Sequence, residues 1–384
     1  MLPVYLDHAA TTPVAPEVLQ AMLPFFDRAF GNPSAIYTIG QEAREAVEHA
    51  REQVAQLVNA DADDVYFTSG GTESDNWAIK GVARAWRDRK NHVITTPIEH
   101  HAVLEACSAL REQGWEVTFV PVDSTGMVDP DEVRRAITPG TGLITVMHAN
   151  NEVGTIEPIA EIGAIAREYG IPFHTDAVQT VGRMPVDMQL LGVDMLTISA
   201  HKLYGPKGVG ALVVRRGTPL RPLLDGGGQE RGRRGGTYNV PGIVGLGAAA
   251  ERAMRCGEEE MKQVRSLRDR LIEGILERVP DAVLTGHPIH RLPNNAHLAF
   301  AGVEGESLVL SLDAAGIYCS AGAACSSGDM EPSHVLVAMG IDPHLVEGSV
   351  RFTLGKDNTP EQIEYTIEQV VRAVNKLRSL RVRG

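Results

Sequence analysis

The stretch Thr197–Val214, TISAHKLYGPKGVGALVV, decides how this chain is read. An apolar run from Met195 to Ile198 leads into Ser199, Ala200, His201 and Lys202. Gly205, Pro206, Gly208 and Gly210 follow, and a second apolar run begins. Apolar runs bounded by glycine and proline read as buried strands joined by a turn. A lysine at the end of such a strand is either an ordinary solvated loop residue or an amine placed for chemistry. The sequence on either side separates the two.

Working outward, residues 65–215 alternate short β-branched runs with longer segments of helical period. The strand candidates are DVYFT, HVITT, EVTFV, LITVMH, IPFHT, DMLTIS and GALVVR. PIAEIGAIAREYG between two of them reads as a helix, with Pro158 suited to its first turn and Gly170 to its C-terminal cap. Such alternation predicts a largely parallel sheet covered on both faces, with ligands beyond the carboxyl ends of the strands. Residues 258–279 read as one amphipathic helix, with Met261, Val264, Leu267, Leu271, Ile275 and Val279 on one side. It links this domain to a smaller one made by the remaining C-terminal residues. There is no internal repeat or low-complexity tract.

The bulk properties narrow the class. With 384 residues, 43% of them hydrophobic, the chain is too long for one compact core, and two domains are expected. A formal net charge of −13 argues against nucleic acid as the main partner. No run of eighteen apolar residues predicts a membrane span, and MLPVYLDHAATTP lacks the pattern of a signal peptide. Four irregularly spaced cysteines (Cys107, Cys256, Cys319, Cys325) suit a reducing cytoplasm better than a disulfide framework. With neither paired CxxC nor HExxH, no metal site is expected.

Four elements follow predicted strands, where a ligand belongs. In YFTSGGTESDN a strand gives way to two glycines, Thr72 and a helix, which is a ready anion site. A plain capping box of Thr72 and Asp75 also fits. In TTPIEHHAVLEA, His100 and His101 enter a helix, as capping or as ring-stacking residues. In PFHTDAVQTVG, Asp176 and Gln179 follow an apolar strand, where a carboxylate needs a cationic or donor partner. The fourth element is SAHK. Together they make the parts of a pyridoxal-phosphate enzyme: a phosphate cradle, a stacking ring, an acid for the pyridinium nitrogen and a Schiff-base lysine.

On these motifs the chain resembles the cysteine desulfurases of the NifS/IscS type, in the class V aminotransferase group of fold-type-I pyridoxal-phosphate enzymes. The resemblance runs from YLDHAATTP and GNPSAIYTIG through ANNEVGT, HTDAVQTVG, SAHKLYGPKGVG, GGGQERGRRGGT and AACSSG to EPSHVL and VRFTLG, essentially the whole chain. It implies a mostly parallel seven-stranded sheet covered by helices (residues 14–254). A smaller α+β C-terminal domain (1–13 and 255–384) would carry a cysteine loop at about 320–333. It also implies that Lys202 binds pyridoxal 5′-phosphate and moves protons, that Asp176 holds the pyridine nitrogen protonated, that His100 stacks on the ring, and that Gln179 bonds its phenolic oxygen. Gly71, Thr72, Ser199 and His201 would hold the phosphate, with Thr237 reaching the neighbouring site of a homodimer. Asn151 and Arg351 would hold the substrate, L-cysteine.

Cys325 would attack the substrate's sulfur as a thiolate and carry it as a persulfide to an acceptor, an iron–sulfur scaffold or a thiolation relay protein. Cys107 and Cys256 read as small core residues, and Cys319 as a strand-end core residue. Ala321 and Ala323 depart from the serine-rich form of this loop, which bears on rate. A selenocysteine lyase or another class V aminotransferase shares every cofactor residue; a silent scaffold would have no need of Lys202, Asp176, His100 and Cys325 together.

Overall fold

The computed structural model describes residues 3–321 and 332–381. Its largest feature is a seven-stranded sheet built from β2 (Val65–Thr68), β3 (His92–Thr95), β4 (Glu116–Phe119), β5 (Thr141–Thr145), β6 (Phe173–Asp176), β7 (Met195–Ser199) and β8 (Gly210–Val214). These are the seven candidate runs. The spatial order is β2-β8-β7-β6-β5-β3-β4, and only β8 runs antiparallel to its neighbours.

Strand alternation explains why both faces are covered. Phe67, Ile94, Ile144, Phe173, Leu196, Ile198, Ala211 and Val213 point into one core, with the helices Thr38–Leu57 and Ile159–Tyr169. Tyr66, Val93, Leu143, Met195, Leu212 and Val214 point into another, with Gly71–Trp86 and His101–Glu112. The chain reverses between β7 and β8 but not between β7 and β6, β5 or β3. The carboxyl ends of β2, β3, β6 and β7 therefore share one edge, where ligands of such sheets gather.

A third core joins Val4 and Leu6 to residues between Met261 and Val374. Here β9 (Ala282–Leu284), β10 (Asn295–Phe300), β12 (Ser320–Ala321) and β13 (Ser349–Thr353) form an antiparallel sheet in the order β12-β13-β10-β9. The N-terminal strand β1 (Val4–Tyr5) pairs with β11 (Ile317–Tyr318), so the start of the chain packs with its C-terminal part.

One helix, Val240–Arg278, spans 39 residues and passes from the first core to the third. The expected helix at 258–279 is its second half. Glycine-rich VPGIVGLG lowers helix propensity locally, but those glycines are where the helix makes close contact. A Cβ at Gly245 would lie 2.7 Å from Met22 Sδ, and one at Gly247 2.6 Å from Ala50 Cα.

Candidate active site

The turn after β2 passes through Gly70, whose φ of +149° lies in the region that favours glycine, and enters the helix Gly71–Trp86. Among the described residues no side chain caps that helix, so the Thr72–Asp75 capping box does not form, and the helix N-terminus lines a cavity. The cavity, about 410 Å³, is lined by Ala10, Thr11, Ser69–Thr72, Ser199, His201 and Lys207 among others. Backbone donors, hydroxyls, a lysine and the positive end of a 16-residue helix form an anion cradle. Gly71 sits at its wall, where a Cβ would come within 3.0 Å of Val178 Cγ2. His201 Nδ1 meets Thr11 Oγ1 at 3.1 Å, which ties the N-terminal segment to the cradle.

Lys202 stands at the end of β7. Its Nζ donates to the backbone carbonyls of Ala9 and, at 2.7 Å, of Ala10. Burial, followed by the nearby Arg183 and Arg351 charges, pushes its ammonium down to about 7. The lysine is therefore poised to gain or lose a proton near neutrality. Gln179 Nε2 donates to the same Ala9 carbonyl at 3.1 Å, and its Oε1 accepts from Arg183.

Asp176 ends β6, buried at 7% exposure, with Oδ1 accepting the Val178 N–H at 2.9 Å. Desolvation pushes its carboxyl up to about 6. Near it Asp75 is 1% exposed, its Oδ1 without a hydrogen-bond partner among the described residues and 3.7 Å from His174 Nε2. Burial, then the adjacent Asp176, drives Asp75 well above the usual carboxylate range. Glu99, also buried, accepts from the Thr96 hydroxyl and the Met147 N–H, and burial pushes it up to about 8. Asp176 is thus the carboxyl of this cluster most ready to ionise, and a pyridinium N–H is the donor it lacks. That donor set fits pyridoxal 5′-phosphate: cradle for phosphate, Asp176 for ring nitrogen, Lys202 for the aldehyde.

His100 caps the helix His101–Glu112, its Nδ1 accepting the Ala102 N–H at 3.1 Å. The capping role is met, and the exposed side chain is near enough to Lys202 to feel its charge. Desolvation, with the Lys202 charge second, pushes the imidazolium down to about 4 and keeps it neutral.

On the other side of the site, Arg351 of β13 donates from Nη1 to the Asn151 carbonyl at 2.9 Å and from Nη2 to Asp7 Oδ1 at 2.9 Å. Asn151 and Arg351 therefore meet. Thr237 is exposed and lines a separate, neighbouring cavity that shares Ser69 and Gly208 with the cradle. Cys325 and Ala323 lie outside the described residues.

Of the other cysteines, Cys107 is fully buried in the core and its thiol is pushed up to about 12 by desolvation. Burial pushes Cys319, between β11 and β12, up to about 12 also. Cys256 is only half-buried, on the surface of the long helix, and is not the core residue expected. Residues not singled out in the sequence include Asp7, Glu99, Arg183 and Lys207, and Asp75 was read only as a helix cap. Asp7 stood in a quoted motif, YLDHAATTP, but its partner lies 344 residues away. Among the described residues there is no cluster that could hold a metal ion, and no helix long and apolar enough to cross a membrane.

Sheet order, strand-end lysine and acid, and helix-terminal cradle together define a pyridoxal-phosphate enzyme of fold type I. Residues 4–366 match the family model described as aminotransferase class-V. The chain is 54% identical over 377 residues to a cysteine desulfurase IscS of Methanosarcina thermophila, covering 98% of this chain and 93% of the relative. A cysteine desulfurase IscS of Dictyoglomus turgidum is 53% identical, with 98% and 96% covered. The solved structure of a NifS-like protein superposes with a TM-score of 0.92 at 40% identity, covering 98% of this chain and 100% of that one. The chain belongs to the NifS/IscS family of cysteine desulfurases.

Proposed function

We propose that this protein converts L-cysteine to L-alanine and retains the sulfur as a persulfide on Cys325 for transfer to an acceptor. The observation that carries the reading is the convergence of Lys202, with its ammonium near 7, on the same strand-end site as Asp176 and the anion cradle. Bound there, pyridoxal phosphate supplies an electron sink conjugated to the substrate's α-carbon.

The chain's residues do the rest. Gly71, Thr72, Ser199 and His201 hold the phosphate, and His100, kept neutral, stacks against the ring. Asp176 gains charge as it accepts the ring N–H. Gln179, with one Nε2 hydrogen already on Ala9, has a second for the ring's phenolic oxygen. Arg351, beside Asn151, grips the α-carboxylate. Lys202 takes the proton from the substrate's α-carbon and returns one, because an amine near 7 works in both directions at neutral pH.

The Cys325 thiolate then attacks the substrate's sulfur. An S–S bond forms, the Cβ–S bond breaks, and its electron pair ends at Cβ, which is protonated to give alanine. A persulfide on Cys325 balances the atoms.

The proposed assembly is a homodimer in which Thr237 reaches the partner's phosphate site. The exposure of Thr237 at the end of the GGGQERGRRGG loop supports this. The two cores on the large sheet lie within 14–254 and the third within 1–13 and 255–384, which supports that division. The acceptor is an iron–sulfur scaffold or a thiolation relay protein, and the setting is the cytoplasm. Product analysis tests the reaction: equimolar alanine and enzyme-bound sulfur support it, whereas an oxo acid from cysteine points to transamination.

A further inference from the structure

Arg351 is not a free fork. Nη2 donates to Asp7 Oδ1 at 2.9 Å and to Ser320 Oγ at 3.3 Å, while Nη1 donates to the Asn151 carbonyl at 2.9 Å. Both residues are largely enclosed, at 12% and 19% exposure. A guanidinium has five N–H groups in a fixed plane, and a carboxylate gripping it bidentately needs two parallel ones. With Nη2 already committed, a bidentate ligand must share or displace Asp7.

The Asp7 backbone is fixed at that position, so only its side chain can turn away from Arg351. Its backbone bridges Thr353, two residues beyond Arg351, and the flanking bonds Thr353 N–H to Leu6 O (2.7 Å) and His8 N–H to Thr353 O (3.1 Å) pin it. The same segment reaches Lys202 through the carbonyls of Ala9 and Ala10. The Asp7 carboxylate thus touches the guanidinium that engages the substrate's carboxylate, and its charge also acts on Lys202, the amine that engages the substrate's amino group.

We propose that Asp7 is a specificity-determining residue for the desulfurase reaction: it is the resident counter-ion of Arg351, it yields the guanidinium to the substrate's α-carboxylate, and its displaced charge then faces the substrate's α-ammonium. This rests on Arg351 being the carboxylate anchor. The exchange imposes a selection. A zwitterion replaces the contact that its carboxylate breaks with one made by its ammonium. An anion without an ammonium group displaces Asp7 from Arg351 and leaves a second negative charge beside it, unpaired. The occupied fork also lowers the apparent affinity of every carboxylate by the fraction of time Arg351 is free.

The test uses the holoenzyme reduced with borohydride, so that the cofactor stays on Lys202 and ligands bind without covalent chemistry. L-cysteine and 3-mercaptopropionate, the same molecule without its amino group, are titrated calorimetrically. The wild type should bind L-cysteine about tenfold or more tightly than 3-mercaptopropionate. In Asp7→Asn, where the acceptor oxygen stays and the charge goes, 3-mercaptopropionate should tighten about tenfold while L-cysteine does not, closing the gap. Equal affinities in the wild type overturn the proposal without any variant, and so does a gap that Asp7→Asn leaves unchanged. Arg351→Gln tests the anchor separately: both ligands weaken together if it holds, and neither weakens if Arg351 is not the anchor.

Discussion

Replacing Asp176 by asparagine isolates one charge. The side chain is 7% exposed and its Oδ1 accepts the Val178 N–H, a contact the amide oxygen can keep. Local structure should therefore survive, and so should cofactor loading, which rests on the cradle and on Lys202. What disappears is the fixed negative charge beside the ring nitrogen. Among the described residues the carboxyls nearest to it are raised as well, Asp75 well above the usual range and Glu99 to about 8, so neither replaces that charge. Removing one partner of a buried charge pair costs about 3–5 kcal/mol. At about 1.4 kcal/mol per tenfold, that is a loss in turnover between roughly a hundredfold and a few thousandfold. Loading is read from the visible absorption of the bound cofactor, and turnover from alanine released in a single-turnover quench. A variant that loads fully and still makes alanine within about threefold of the wild-type rate would refute the reasoning, since 3 kcal/mol cannot hide there.

Three further outcomes are expected. Glu99 holds its proton in the folded state up to about 8, against 4.5 in an exposed chain, so its contribution to stability is present below 4.5 and is lost as pH rises through 8. Glu99→Gln should therefore gain on the wild type, by up to about 1.4 kcal/mol per pH unit, between those limits, and a pH-independent difference in urea midpoints would contradict the assignment. Glu230 is 2% exposed and pairs with Arg51 at 2.8 Å while its backbone takes a left-handed φ of 44°. Glu230→Gln leaves Arg51 with the half-exposed Glu48 as its charged partner among the described residues and should cost about 3 kcal/mol in urea unfolding; a loss under about 1 kcal/mol would mean that Glu48 suffices. Mixing Lys202→Ala with Thr237→Ala protomers should create some sites that carry neither lesion, so activity should exceed that of both parents; activity that never rises would exclude a phosphate contact across the dimer.

The large sheet was legible because each strand is a short apolar run ended by glycine, proline or a polar turn, and because alternate residues feed two cores. Lys202, Asp176 and His100 were legible because each follows such a run at the edge where ligands collect. The long helix was half-read, since Gly242, Gly245 and Gly247 argue against helix until the neighbours they admit are known. Asp75 and Glu99 look like ordinary polar residues at helix starts, and only tertiary burial raises their carboxyls above the usual range. Asp7 was beyond local reading, because its ion pair with Arg351 depends on the N-terminal strand docking beside β11 and Thr353.

The central claim, that the sulfur of L-cysteine leaves on Cys325, is tested most directly by mapping peptides after a brief pulse of L-cysteine and quenching without reductant. The peptide containing Cys325 should carry one added sulfur, removable by thiol reductant, in a yield that matches the alanine formed. Cys325→Ser should load cofactor normally, yet form neither the adduct nor alanine. Alanine produced at the wild-type rate by Cys325→Ser, or the added sulfur found on the peptide of Cys319 with none on Cys325, would contradict the account.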